Sequence, residues 1–80
     1  MRLWIANLAP DVTDEKLAGF LQRHGLPAFT NVARVQGDGS RPAALVTFAD
    51  IELEKLYDVA FRLDGMYWNS RSLTVQVVLR

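Results

Sequence analysis

Alternating apolar and polar residues recur in four short segments of the chain, and a period of two is typical of half-buried strands. The segments read RLWIANL, FTNVARVQ, RPAALVTF and SLTVQVVL. The first is followed by the turn residues APD, and the second and third are separated by the glycine-rich GDGS. We therefore expect a strand in each segment, and we expect the middle pair to form an antiparallel hairpin.

Two other segments have apolar residues at the three- and four-residue spacing of an amphipathic helix. This spacing predicts a helix over 14–24, where Thr13 provides the N-cap and Gly25 ends the helix. A second helix is predicted over 50–63, with Asp50 as its cap. Strands and helices thus follow each other in the order βαββαβ.

The order βαββαβ predicts an α+β fold, because right-handed crossovers place both helices on the same face of one antiparallel sheet. This ferredoxin-like sandwich has a four-stranded sheet whose other face stays open to a ligand. Eighty residues suffice for one hydrophobic core of modest size. We therefore expect a single domain over 1–80.

Composition excludes several classes of function. The chain has no cysteine, which removes disulfides, thiolate metal ligands and redox chemistry, and His24 is its single histidine. No nucleophile–base pair or paired set of acids is identifiable, so we expect neither an enzyme nor a cofactor or metal site. The chain lacks a run of about twenty apolar residues, and we expect a soluble, cytoplasmic protein without a membrane partner.

The charges of the chain cancel, since nine Lys and Arg balance nine Asp and Glu. Cationic contacts to phosphate usually dominate affinity for nucleic acid, so a neutral chain does not bind by bulk charge. The acids, however, concentrate in the predicted helices, whereas Arg2, Arg34, Arg41, Arg71 and Arg80 lie in or beside strands. One face of the sheet can therefore be basic. We assign Arg2 and Arg80 to solubility and to blunting of strand edges.

Three segments resemble the sequence motifs of the RNA recognition motif family. LWIANL at 3–8 resembles the six-residue motif of the family's first strand, and RPAALVTF at 41–48 stands in the place of the eight-residue motif of its third strand. LDGMYWNSRSLTV at 63–75 follows the family's pattern from the second helix into the last strand. The resemblance covers nearly the whole chain and implies binding of RNA on the open face of the sheet.

The resemblance assigns a base-stacking role to Trp4, which the alternation places on the open face. At the stacking positions of the other motif, the chain has Ala43 and Leu45 instead of aromatic residues. Stacking contributes about 1–3 kcal/mol per base, so the loss of two platforms lowers affinity by about one to four decades. The expected RNA contacts are Trp4, Ala6, Asn7, Arg34, Arg41, Ala43, Leu45, Thr47, Arg71, Thr74 and Gln76.

The polar members of this set have distinct expected roles. The arginines are expected to contact phosphates or to stack on bases, and the hydroxyl and amide side chains are expected to contact base edges. Asn7 also stands directly before the turn residues LAPD, where it is equally suited to bracing the turn. The expected ligand is short single-stranded RNA, bound weakly, with single-stranded DNA as an alternative.

A protein-binding function is the alternative to RNA binding. Tyr57 and Phe61 are four residues apart on the second predicted helix and lie outside its core stripe. They either cover the flank of the helix together with Met66 or form an apolar patch that recruits a protein partner. In the latter case the chain is a protein–protein interaction module of the same fold, with a degenerate RNA-binding surface.

Two further expectations concern apolar residues of the sheet. Trp4, Val32 and Leu45 are expected to share the open face as an apolar patch, which favours weak self-association. Trp68 stands where the family has a core aliphatic residue. We therefore expect Trp68 to pack inside the domain rather than to contact a ligand.

Overall fold

The computed structural model describes residues 1–79, and Arg80 lies outside the described residues. Within 1–79 the chain forms the helices α1 (Asp14–Arg23) and α2 (Leu53–Leu63). The strands in this range are β1 (Arg2–Ala6), β2 (Asn31–Val35), β3 (Ala43–Thr47), β4 (Tyr67–Trp68), β5 (Arg71–Ser72) and β6 (Thr74–Val78).

The main sheet has four strands in the order β2-β3-β1-β6, and each neighbouring pair is antiparallel. β2 and β3 form the hairpin that GDGS predicts. Within the described chain, buried residues of both helices pack against one face of this sheet and form a single core cluster with it. The prediction of a ferredoxin-like α+β sandwich is therefore confirmed.

The core follows from the alternation within the central strands. Arg2, Trp4 and Ala6 of β1 are half-buried, whereas the residues between them are completely buried. Because successive side chains of a strand point to opposite faces, the buried set faces the helices and the half-buried set faces away. Fully buried members of the core include Leu3, Ile5, Ala44, Val46, Leu17, Leu21, Leu56 and Val59.

The start of α1 confirms its predicted cap. Thr13 has an extended backbone, and its Oγ1 accepts a hydrogen bond from the backbone N–H of Lys16 at 3.1 Å. This bond satisfies one of the amides that a helix leaves unpaired at its N-terminus. The helix ends at Arg23, with half-buried His24 as its C-cap and Gly25 at a φ of 99°. Glycine fits there because a side chain strains the left-handed backbone.

The predicted start of α2 is wrong, because the helix begins at Leu53 rather than at Asp50. Glu52 occupies the N-cap position, and its side chain makes no capping hydrogen bond. Phe48, the residue directly after β3, is buried, and Ile51 packs against the core. This packing keeps the connecting segment outside the helix, so that tertiary contacts rather than a local cap determine where α2 begins.

The last predicted strand, SLTVQVVL at 72–79, is shorter in the structure, and a small hairpin precedes it. Tyr67 pairs with Ser72 and Trp68 with Arg71, and the turn residues between them, 69 and 70, have φ values of 51° and 69°. Positive φ at both central residues is the geometry of a tight type I′ turn. Arg71 and Ser72 therefore belong to this small hairpin, and only Thr74–Val78 joins the main sheet.

Trp68 is half-buried and packs against the core, as the sequence predicts. Its ring stacks on that of Phe20 in α1, with the ring centroids 4.1 Å apart and an interplanar angle of 18°. Phe20 also contacts His24 edge-to-face at 4.8 Å. The hairpin β4–β5 is thereby attached to α1 on the helical side of the sheet.

Candidate nucleic-acid interface

The pairing register sorts the outward side chains of the main sheet into rows. Residues that face each other across antiparallel strands point to the same face. The central row is Ala33, Leu45, Trp4 and Gln76; one flanking row is Asn31, Thr47, Arg2 and Val78; the other contains the pairs Val35–Ala43 and Ala6–Thr74.

Trp4 occupies the middle of this open face. It is half-buried on the central strand β1, with Leu45 opposite it on β3 and Gln76 opposite it on β6. Leu45 is also half-buried, and Gln76 is exposed. The flat apolar surface of the Trp4 indole, extended by Leu45, therefore lies beside the hydrogen-bonding amide of Gln76. This combination suits one flat, unpaired base.

Ala43 does not provide the contact surface expected of it. Only 4% of its surface is exposed, although it lies outside the core cluster between the sheet and the helices. A side chain this small and this little exposed offers a ligand almost no contact area. The accessible part of β3 on the open face is therefore half-buried Leu45 and Thr47.

The expected contribution of Arg34 to the open face is wrong. Arg34 pairs with Ala44, whose side chain belongs to the core, so it points toward the helices. Its Nε and Nη2 donate to Oδ1 of Asp14 at 2.9 and 2.6 Å, and Nη2 also donates to the carbonyl of Val12 at 3.0 Å. A carboxylate in the first turn of α1 thus holds this guanidinium on the opposite side of the sheet.

Arg71 and Asn7 brace loops and lie outside the ladder of the main sheet. Arg71 Nη1 donates to the carbonyl of Ser40 at 2.8 Å, to Oδ1 of Asn7 at 3.3 Å and to the carbonyl of Leu8 at 3.4 Å. Asn7 has a φ of 63°, and its Nδ2 donates to the carbonyl of Ser72 at 2.9 Å. The bracing alternative for Asn7 is the arrangement that the structure contains.

Arg2 and Arg41 are the cations that remain near the open face within residues 1–79. Arg41 is exposed directly before β3, and Arg2 is half-buried in the same row as Thr47. Hydrogen bonds from the hydroxyl and the backbone amide of Ser40 lower the pKa of Asp38, and the charge of Arg41 adds to this shift. Asp38 is therefore ionised near Arg41 at neutral pH, which weakens the positive potential at this end of the sheet.

The sequence reasoning missed Arg2 as a member of the open face. The signal was present, because Arg2 precedes Trp4 by two residues on the same strand and so shares its face. The predicted position of Val32 on the open face is wrong, because Val32 pairs with core residue Val46 and packs against the core. The expected open-face patch therefore contains Trp4 and Leu45 but not Val32.

The described fold is similar to solved structures of low sequence identity. The structure of the Mip6 RRM3 domain (RRM, RNA recognition motif) has a TM-score of 0.76 and 17% identity, covering 94% of this chain and 88% of that chain. The Pes4 RRM3 structure has a TM-score of 0.78 and 16% identity, covering 99% and 92%. The structure of the Rna15 RRM with bound RNA (GU) has a TM-score of 0.73 and 20% identity, covering 99% and 83%.

The chain has the fold of an RNA recognition motif. No protein-family model matches the sequence, and no curated protein matches it significantly. Likeness at this level of identity concerns the fold, and one fold serves many functions. Function must therefore be argued from the open face and from the other surfaces of this RNA recognition motif fold.

No helix within residues 1–79 is long and apolar enough to cross a membrane. In the same range, no group of three or more His, Cys, Asp or Glu side chains is arranged to hold a metal ion.

Tyr57 and Phe61, the predicted protein-binding residues, lie away from the open face of the RNA recognition motif fold. They belong to α2, and 46% of Tyr57 and 84% of Phe61 is exposed. Met66, the residue expected to join them in covering the helix flank, packs against the core. The exposure of Phe61 shows that nothing in the described chain covers it.

Proposed function

We propose that this chain is a single binding module over 1–80 for short single-stranded RNA, that it acts without catalysis, and that it binds weakly on its own. The observation that carries this proposal is the position of Trp4, a half-buried aromatic at the centre of the open face in an RNA recognition motif fold. The Rna15 RRM was solved with RNA bound, which supports the same class of ligand here.

One base stacks on the indole of Trp4 in this proposal. Leu45 extends the apolar plate on one side, and the amide of Gln76 reaches the base edge on the other. Thr47 and Thr74, at the two ends of the face, provide further hydroxyl and backbone partners. A single strand is required, because the base must be free to leave its own stack. Single-stranded DNA offers the same bases and is the alternative ligand.

Weak binding follows from the side chains that remain on the face. Ala43 and Leu45 replace two stacking platforms, which forfeits about 2–6 kcal/mol at about 1–3 kcal/mol per base. Arg34 is bound to Asp14, and Arg71 is bound to loop carbonyls. Arg2 and Arg41 are therefore the cations that can contact phosphates. Few cationic contacts also mean a small electrostatic contribution.

The test is a titration of isotope-labelled protein with a pool of random short RNAs, read by amide chemical shifts. We expect the shift changes to concentrate on Trp4, Leu45 and Gln76 and their strand neighbours. Changes confined to α1 or α2, or no change at millimolar RNA, would refute the assignment of the open face. A parallel titration with the corresponding DNA pool separates the two single-stranded ligands.

A further inference from the structure

A stripe of exposed apolar side chains runs along α2. Leu53, Tyr57 and Phe61 follow each other at intervals of four residues and are 37%, 46% and 84% exposed. Residues four apart on a helix are neighbours on one flank. Exposed large apolar residues that stand singly are common, but a contiguous row is typical of a binding surface.

This stripe borders a groove between α2 and the edge strand β6. The groove has a volume of about 370 Å³ and is lined by Tyr57, Ala60, Phe61, Asp64, Val75, Gln76 and Val77. β6 is the last strand of the main sheet, so no strand of the described chain closes this side of the groove. Trp4 is not part of the lining, and Gln76 is the residue at which the groove meets the open face.

The charges around the groove are negative. Asp64 is the charged residue in its lining, and Glu54 lies one turn before Tyr57 on the same flank of α2. The cations of α2 lie elsewhere: the Lys55 side chain lies close to Gly25, and Arg62 reaches the carbonyl of His24 at 3.5 Å. A segment with Lys or Arg beside its apolar residue therefore complements this groove.

The same charges argue against a second copy of this chain as the occupant. A two-fold contact places the same patch of each copy against the other, so the acidic surroundings of one groove would face those of its copy. Strand addition along β6 is also restricted. The backbone N–H of Val75 donates to Oδ1 of Asp64 at 2.9 Å, so this edge amide is already satisfied. The occupant must be held mainly by its side chains.

We propose that the groove between α2 and β6 binds a segment of a partner protein that carries a large apolar side chain flanked by Lys or Arg. The apolar side chain packs among Phe61, Tyr57 and Val77, and the flanking cations approach Asp64 and Glu54. This site meets the proposed RNA-binding face at one residue, Gln76, whereas Phe61, Tyr57 and Val77 lie outside that face.

The test uses two synthetic peptides, GKRFLKRG and its acidic counterpart GEEFLEEG, added to isotope-labelled protein. We expect the basic peptide to shift the amides around Phe61 and Val77 and to bind about 5-fold or more tightly than the acidic peptide at low salt. Phe61→Ser should weaken binding of the basic peptide about 10-fold, since a central aromatic contact is lost. Tyr67→Ser is the matched control, because Tyr67 is 74% exposed and lies outside the groove lining.

Several outcomes overturn the proposal. They are equal binding of the two peptides, shifts that map to Trp4 instead of Phe61, and an equal loss of affinity in the Tyr67→Ser control. Sedimentation that shows a peptide-free dimer dispersed by Phe61→Ser would identify a second copy as the occupant instead. RNA titration of Phe61→Ser keeps the two proposals apart, since we expect this variant to retain the RNA affinity of the parent chain.

Discussion

At the residue scale, the base stacking proposed for the open face depends on one aromatic side chain. Trp4 lies between two completely buried neighbours, Leu3 and Ile5, and its strand is paired on both sides. This arrangement orients the indole toward the open face, where Leu45 and Gln76 are its neighbours. Trp68, the other tryptophan, is stacked on Phe20 on the helical side. We therefore expect Trp4 to respond to a ligand on the open face and Trp68 to serve as an internal reference.

Trp4→Ala is expected to weaken RNA binding by about 1–3 kcal/mol, because the stacking platform is lost. Amide-shift titration with RNA measures the affinities of the parent chain and of Trp4→Ala. In the Trp68→Phe variant the emission comes from Trp4, and RNA should quench it. Emission from Trp68, in the Trp4→Ala variant, should report unfolding and respond little to RNA. Quenching of Trp68 instead of Trp4 would place the ligand near α1.

Leu45→Phe is expected to strengthen RNA binding by about 1–3 kcal/mol, because it adds a stacking ring beside Trp4 at a half-buried position. Ala43→Tyr is the contrasting change. Ala43 is 4% exposed, so a phenol ring must displace its neighbours, and we expect a loss of about 1–3 kcal/mol in unfolding free energy. Urea unfolding and RNA titration of both variants measure the two effects. A Leu45→Phe variant that folds normally but gains no RNA affinity would refute the role of stacking.

At the element scale, the two helices begin for different reasons. α1 starts at a side-chain cap, since Thr13 accepts a hydrogen bond from the amide of Lys16. α2 starts without one, and Asp50 lies outside the helix. Its position is determined by buried residues such as Leu56 and Leu63, which pack on the sheet. Local sequence therefore controls the first boundary and tertiary packing the second.

Thr13→Ala is expected to lower the unfolding free energy by about 0.5–2 kcal/mol, because an amide in the first turn of α1 loses its acceptor. Asp50→Ala serves as the comparison and should change the unfolding free energy by less than about 0.5 kcal/mol. Urea unfolding of the two variants measures both effects. An equal loss in both would mean that Asp50 caps α2 in solution.

At the scale of the whole molecule, a net charge of zero hides an uneven distribution. Arg34 is paired with Asp14 and Arg62 with Asp58, so these two cations are balanced on the helical side. Arg2 and Arg41 are the cations near the open face within residues 1–79. We therefore expect the affinity of the proposed RNA site to depend on stacking more than on charge.

The salt dependence of RNA binding is expected to be shallow. Each phosphate neutralised on a single strand contributes about −0.7 to the slope of log affinity against log salt, so contacts from Arg2 and Arg41 predict about −1.4. Arg41→Ala should halve this slope. Arg23→Ala removes an equal charge from the exposed end of α1 and should leave the slope unchanged. A steep slope in the parent chain would show that phosphate contacts dominate.

The sequence by itself determined the order of the elements and the face on which Trp4 lies. Both follow from local periodicity, because side chains alternate along a strand and recur along a helix whatever lies elsewhere in the chain. The sequence also shows directly that positions 43 and 45 carry no aromatic residue. These features predict the fold and the weakness of the candidate RNA site.

Only the tertiary structure decided which polar side chains are free to bind. Arg34 is held by Asp14, twenty positions earlier, and Arg71 by the carbonyl of Ser40, thirty-one positions earlier. The groove beside Phe61 likewise exists only where α2 lies against the edge strand β6. Local periodicity carries no information about such partners, because they are set by which distant segments the folded sheet brings together.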